Sequence, residues 1–182
     1  MGRPKATLAV GGQTLLERAL AAAAAYRTVV LVCELPEDAV ALLERMRRER
    51  DLIIVANDAP QRGMSHSLAL ADAAIGFRDA ALAVLLLDTP FVDAALVARV
   101  IAARGDADVA YPLRAGTPGH PVVFGPRARE AIASLPDGDT LRTLRDDSRW
   151  RRVTLAVTDD APFRDIDTPN DYAELSFPAS TP

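Results

Sequence analysis

Short apolar runs alternate along the chain with longer stretches whose apolar residues recur at helical spacing. The clearest run is Leu82 to Leu87, too short to span a bilayer and rich in strand formers, which predicts a β-strand buried on both faces by helices. Runs at 29–33, 52–56, 108–112 and 152–157 predict further strands, and the turn-rich segment 114–125 enters another. Between them, Thr14-Leu-Leu-Glu17 is a capping box that opens a helix to about Tyr26. Pro36 starts a second helix, which Arg45, Arg47, Arg48 and Arg50 close in the sense favoured by the helix dipole. A third helix is expected from about Ser65 to Phe77 and a fourth from about Val92 to Arg104, ending at Gly105. Segments 127–134 and 140–146 also predict helices, and Thr168-Pro169 suits the N-cap and first turn of a terminal one. This order is that of an α/β fold with a doubly wound, mostly parallel, Rossmann-like sheet. Such a fold opens with a strand and a glycine-rich turn, yet nothing before Thr14 reads as a buried strand, so the sheet is expected to lack its first strand.

A chain of 182 residues fits one domain, expected over 1–176, with 177–182 as a tail. The net charge of −4 argues against general binding to nucleic acid or an anionic membrane, both of which need a basic surface. With no apolar run of bilayer length and no secretory signal at Met1-Gly-Arg-Pro-Lys5, the expectation is a soluble, cytoplasmic protein. The single cysteine, Cys33, excludes an internal disulfide and a cysteine-clustered zinc site, and reads as a small buried strand residue. Of the 21 lysines and arginines, only Lys5 is a lysine, which suits a position needing a compact ammonium, for example against phosphate.

The candidate chemistry gathers at strand ends. Asp88 follows the central run where α/β proteins place their ligand crevice, and Pro90 then stops strand pairing. Asp165 and Asp167 are at strand spacing and so face the same side. Magnesium prefers oxygen ligands and takes one or two carboxylates plus substrate phosphates, so Asp88 with Asp165 or Asp167 is a candidate Mg²⁺ site. Paired aspartates with a lysine and nearby arginines suit nucleotidyl transfer. Asn57 stands at a strand end, and Gly63 and Ser65 beside a helix start offer backbone and hydroxyl groups to an anion or ribose, although ordinary capping explains Ser65 equally well. Only His66 and His120 exist, so a histidine-rich metal site is excluded.

Met1-Gly-Arg-Pro-Lys5, Asn57 with Gly63-Met-Ser-His-Ser-Leu68, Leu87-Asp-Thr-Pro90, Gly119-His-Pro121, Gly138-Asp139 and Asp165-Ile-Asp-Thr-Pro-Asn-Asp-Tyr172 occur in one order. This ordered set resembles the MobA-like nucleotidyltransferases, most closely the molybdenum cofactor cytidylyltransferases, and implies their nucleotide-diphospho-sugar transferase type of fold. The resemblance implies transfer of CMP from CTP to molybdopterin with Mg²⁺ and release of pyrophosphate, and molybdoenzymes as recipients of the product. It implies that Arg3 and Lys5 contact phosphates, that Asn57, Gly63 and Ser65 lie near the nucleotide, that Asp88 holds the metal with Asp165 or Asp167, and that Lys5 and Asp88 are catalytic. His120 would lie on the acceptor side, a structural turn histidine being the equal alternative. A guanylyltransferase of the same family using GTP, a sugar-phosphate nucleotidyltransferase and a non-catalytic binding or cofactor-handover protein are the rival readings. Arg3-Pro4 before Lys5 and Gly119-His-Pro121 favour the cytidylyl branch over the guanylyl one.

Family members resemble a strand, then Leu-Ala-Ala-Gly-x-Ser-x-Arg, then Met-Gly-x-x-Lys, whereas this chain starts at that methionine. The family's Gly-Asp-x-Gly-Ala-Arg is reduced to Gly138-Asp-Thr-Leu-Arg142, which leaves Arg142 without an assigned role. The expectation is a longer gene product in which Met1 is internal; a chain starting at Met1 would have an open slot in its sheet and weak or no catalysis. In-frame codons upstream of Met1 should encode a Leu-Ala-Ala-Gly-like stretch, and a stop codon directly before Met1 would refute this.

Overall fold

The computed structural model describes residues 4–32 and 35–176; Arg3, Cys33 and the expected tail at 177–182 lie outside the described residues. A short antiparallel hairpin, β1 (Ala9–Val10) and β2 (Gln13–Thr14), turns through Gly11 and Gly12, both at positive φ. The sequence pattern did not reveal it, because two-residue strands carry no alternation to read. Helix α1 (Leu15–Ala22) then starts on the expected capping box, Thr14 Oγ1 accepting from Glu17 N–H while the Glu17 carboxylate accepts from Thr14 N–H. It stops short of Tyr26. The amides of Ala24 and Tyr26 bond back to the carbonyls of Ala21 and Ala23 in tight turns that aim the chain at the next strand.

β3 (Thr28–Val32), α2 (Glu37–Glu49) and β4 (Leu52–Ala56) form a βαβ unit whose strands pair in parallel from Thr28 opposite Leu52 to Val32 opposite Ala56. After α3 (Met64–Ile75) come β5 (Leu82–Val84), α4 (Ala94–Arg104), β6 (Val109–Arg114), β7 (Thr117–Pro118) and β8 (Val122–Phe124). The chain continues through α5 (Pro126–Glu130), α6 (Leu141–Asp146), β9 (Arg152–Ala156) and α7 (Pro169–Ser176). The larger sheet runs β5-β8-β6-β9, with β7 completing a hairpin on the end of β6. β8 is antiparallel to both neighbours, and β5, β6 and β9 share one direction, so the fold is the expected α/β architecture with a mostly parallel sheet. The central run pairs only as far as Val84, opposite Val122, rather than to Leu87. The next residue on the partner strand is Pro121, which has no N–H to donate.

One edge of β3 and one edge of β5 have no strand partner among the described residues, and both line an apolar cavity of about 720 Å³. Leu16 and Leu20 of α1, Leu68 of α3 and Val97 of α4 wall it in, together with Val30 and Leu82. The cavity separates the β3–β4 pair from the larger sheet. Among the described residues no helix is long and apolar enough to cross a membrane.

The largest fully buried side chain is Arg129 of α5, 1% exposed. Its guanidinium donates to the Asp72 carboxylate and the Phe77 carbonyl, to the Ala80 carbonyl at 3.0 Å and to the Asp72 carbonyl at 3.3 Å, while Arg78 holds the other Asp72 oxygen at 2.6 Å. These bonds fix the end of α3 and the connection that delivers β5. Arg129→Met should therefore lower stability by about 3–5 kcal/mol in denaturant unfolding, because it strips a buried carboxylate of its main partner. The double variant with Asp72→Leu should recover part of that loss, the carbonyls that Arg129 served staying without it; equal stability of Arg129→Met and the wild type would refute the reading.

Candidate active site at the end of the central strand

The site depends on a buried isoleucine. Ile166, 0% exposed, packs with Leu8, Val10 and Leu15, and its N–H donates to the Asp88 carbonyl at 2.9 Å. That bond seats the late segment against the end of the central run. Ile166 is buried while Asp165 and Asp167 on either side of it are exposed, and the charge of Asp167 acts on Asp165. The segment is held on its C-terminal side by the start of α7, where the Asp171 carboxylate accepts from Asp167 N–H (3.0 Å) and Thr168 N–H (2.7 Å) and Thr168 Oγ1 accepts from Asp171 N–H. Tyr172 Oη donates to the Ala9 carbonyl at 2.9 Å and pins α7 to the first hairpin.

Lys5 enters this site from a single 3₁₀ turn, Lys5–Thr7, in which Ala6 is buried against Leu16 and Leu20. Its Nζ lies 2.8 Å from Asp167 Oδ1 and 3.4 Å from Asp88 Oδ2. Burial lowers the Lys5 pKa, but the hydrogen bond to Asp167 and the charges of Asp88 and Asp167 outweigh it and raise the ammonium above its ordinary value. Asp165 is pushed up, first by burial and then by the negative charges of Asp88 and Asp167, with Lys5 partly opposing them. Asp88 Oδ1 is buried and has no hydrogen-bond partner.

Oxygen donors on two adjoining segments, one of them orphaned, fit a hard divalent cation. Among the described residues no three histidine, cysteine or acidic side chains are yet arranged around a common ion position. An ammonium stands between two of the carboxylates instead.

His120, beside the Pro121 peptide, places Nδ1 3.3 Å from the carbonyl oxygen of Val84. Burial depresses its pKa, against the opposing influence of the Val84 carbonyl and the Asp88 charge. Its neighbours tie it to the end of β5 and to the field of the carboxylates.

Asn57, Gly63 and Ser65 form a second group, which no hydrogen bond or ion pair joins to the carboxylates among the described residues. Asn57 is buried, its Nδ2 donating to Ser67 Oγ at 2.9 Å and its Oδ1 accepting from Ala59 N–H at 3.0 Å, so the side chain shapes the loop. Helix α3 starts at Met64 with Gly63 as its N-cap, so Ser65 is not the capping residue; it is 2% exposed inside the first turn, and its Oγ has no partner. Gly63 is required for two reasons, a φ of +87° and a close approach in which a Cβ would meet Gly138 Cα at 3.1 Å. Around that contact, Gly138 N–H donates to the Arg62 carbonyl and Arg62 grips Asp137 in a bidentate pair at 2.9 and 3.1 Å. Sequence reasoning passed over this link between loops, for which the Gly-Asp at 138–139 was the available signal.

A cluster of carboxylates with one lysine, four residues beyond β5 in a Rossmann-like sheet, lies where α/β proteins bind their ligands, nucleotides among them. The chain belongs to the MobA-like NTP transferase domain family, which matches residues 1–153, and is thus a nucleotidyltransferase. No curated protein matched it. Among solved structures, it is similar to Rv0371c from Mycobacterium tuberculosis H37Rv at 25% identity and TM-score 0.76, with 96% of this chain and 90% of that chain covered. A complex of Rv0371c with manganese matches at 27% identity and TM-score 0.73, covering 96% and 92%. Molybdopterin-guanine dinucleotide biosynthesis protein A from Archaeoglobus fulgidus shares the fold at 17% identity and TM-score 0.66, covering 98% and 92%. So does 2-C-methyl-D-erythritol 4-phosphate cytidylyltransferase from Thermus thermophilus, at 23% identity and TM-score 0.69, covering 98% and 94%.

The lowered pKa of His120 carries a stability consequence. The folded protein takes up this proton less readily than the unfolded chain, so stability is lost as pH falls through the unfolded value of about 6.5. Thermal unfolding measured between pH 7.5 and 5.5 should show a falling Tm, with a smaller fall in His120→Asn. Equal falls in the two proteins would remove His120 as the source.

Proposed function

We propose that this nucleotidyltransferase joins CMP from CTP to the terminal phosphate of molybdopterin and releases pyrophosphate, with Mg²⁺ as the metal. The observation that carries this reading is the convergence of Lys5, Asp88, Asp165 and Asp167 where the central run ends. An oxygen of the acceptor phosphate attacks the α-phosphorus, a new P–O bond forms, and the bond to the pyrophosphate oxygen breaks. Asp88 with Asp165 or Asp167 would hold the metal, which supplies charge neutralisation to the triphosphate. Lys5, and Arg3 by resemblance, supply cationic contacts to phosphate. Asn57 and Gly63 shape the loop into α3, where the unpartnered hydroxyl of Ser65 suits a nucleotide contact. His120, its proton affinity lowered by burial, would stand on the acceptor side, as the resemblance implies. The reaction belongs in the cytoplasm, upstream of molybdoenzymes that take the finished dinucleotide.

The test is incubation of the protein with each NTP, Mg²⁺ and molybdopterin, followed by pyrophosphate release. Turnover with CTP is expected to exceed that with GTP, and Asp88→Ala should reduce it by about 10³-fold. Absence of turnover with any NTP would reject the enzymatic reading, preference for GTP would move the chain to the guanylyl branch, and full activity of Asp88→Ala would reject the metal assignment.

A further inference from the structure

We propose that Lys5 is a resident counter-ion occupying the cation position between Asp88 and Asp167, and that a divalent cation must displace it before the site can work. The proposal rests on the reading of these aspartates as metal ligands. A single Nζ bridges two carboxylates that reach the site from segments far apart in the chain, the geometry expected of a cation holding them together. The neutralisation it provides is incomplete. Lys5 contacts one oxygen of Asp88, while the other, Oδ1, is buried without a hydrogen-bond partner, and among the described residues no hydrogen bond or ion pair joins Lys5 to Asp165. A metal ion, which gathers several oxygens at once, satisfies what one ammonium leaves open.

The choice of residue fits a displaceable ion. In a chain whose other cationic side chains are arginines, this position carries the only lysine. A guanidinium would lock onto a carboxylate through two parallel hydrogen bonds, whereas an ammonium on a flexible four-carbon stem makes a point contact and leaves by rotation. The Lys5 side chain is 33% exposed, which gives it a way out toward solvent and incoming phosphates. Metal arrival and release of the phosphate-seeking cation would then be one event, and the ammonium would hold the carboxylates apart from one another's charge until it occurs.

Mn²⁺ titration without nucleotide, by calorimetry or by electron paramagnetic resonance of the free ion, tests the exchange. Lys5→Met should bind Mn²⁺ about tenfold more tightly than the wild type, since the competing charge is gone, and Lys5→Arg should not. Equal or weaker affinity in Lys5→Met would overturn the proposal. Should that variant fold poorly, the wild type provides the second measurement. Reductive methylation with ¹³C-formaldehyde keeps the charge and labels the single ε-amine, whose resonance is assigned by its absence from Lys5→Arg. That resonance should shift on adding Mg²⁺ to the wild type and stay fixed in Asp88→Asn; an unmoved wild-type resonance at saturating Mg²⁺ would overturn the proposal. Loss of Mn²⁺ binding in Asp88→Asn and Asp167→Asn without tightening in Lys5→Met would defeat the counter-ion alone. Unchanged binding in both asparagine variants, or no binding by any protein, would defeat the metal reading as well.

Discussion

One backbone hydrogen bond, from Ile166 N–H to the Asp88 carbonyl, turns two distant acidic segments into a site. Its strength comes from where it lies. Ile166 is sealed in a cluster with Leu8, Val10 and Leu15, so the bond is shielded from water and its loss would leave buried groups unpaired. The first hairpin, α1 and the late segment all contribute to that cluster, which also receives Tyr172 from α7. Each acidic residue of the site is therefore one or two positions from a fully determined backbone, while its own side chain keeps some freedom.

The alternation of strands and helices was legible because each apolar run has the length and punctuation of a buried strand, and because Thr14-Glu17 and Thr168-Pro169 announce helix starts chemically. Asp88 was legible because it follows the central apolar run, Asp165 and Asp167 because of their two-residue spacing, and Lys5 because it is the only lysine. What could not be read depends on contacts between separate parts of the chain. The shortening of β5 follows from Pro121 on its partner strand, the buried Arg129 from three carbonyls and a carboxylate that converge only after folding, and the Gly63–Gly138 contact from two loops 75 residues apart, the separation of the paired Arg62 and Asp137 beside them. Asn57 and Ser65 were chosen for position, and the structure exchanges their expected local roles: Asn57 shapes the loop, whereas the hydroxyl of Ser65 is left over.

The charge pattern separates two kinds of acid in this protein. Asp137, Asp146, Asp147 and Asp171 are held below the usual carboxylate range, first by hydrogen bonds from an arginine or the backbone, and so remain ionised as structural pins. Asp165 is displaced in the opposite direction by burial and by like charge. A carboxyl raised first by burial and then by neighbouring carboxylates is the pattern that recurs at functional sites, in contrast to the pinned acids.

The cavity between β3 and β5 gives the molecule an unusual mechanical division. No ladder of backbone hydrogen bonds crosses from the β3–β4 pair to the larger sheet among the described residues, so the two are coupled mainly through the packing of helices. Sheet hydrogen bonding ordinarily makes strands open and close as one cooperative block; among the described residues that continuity stops at the cavity. Amide exchange of β3 and β4 is therefore expected to need a lower-energy opening than that of β6, β8 and β9, with Asn57, just past the end of β4, on the side that opens first.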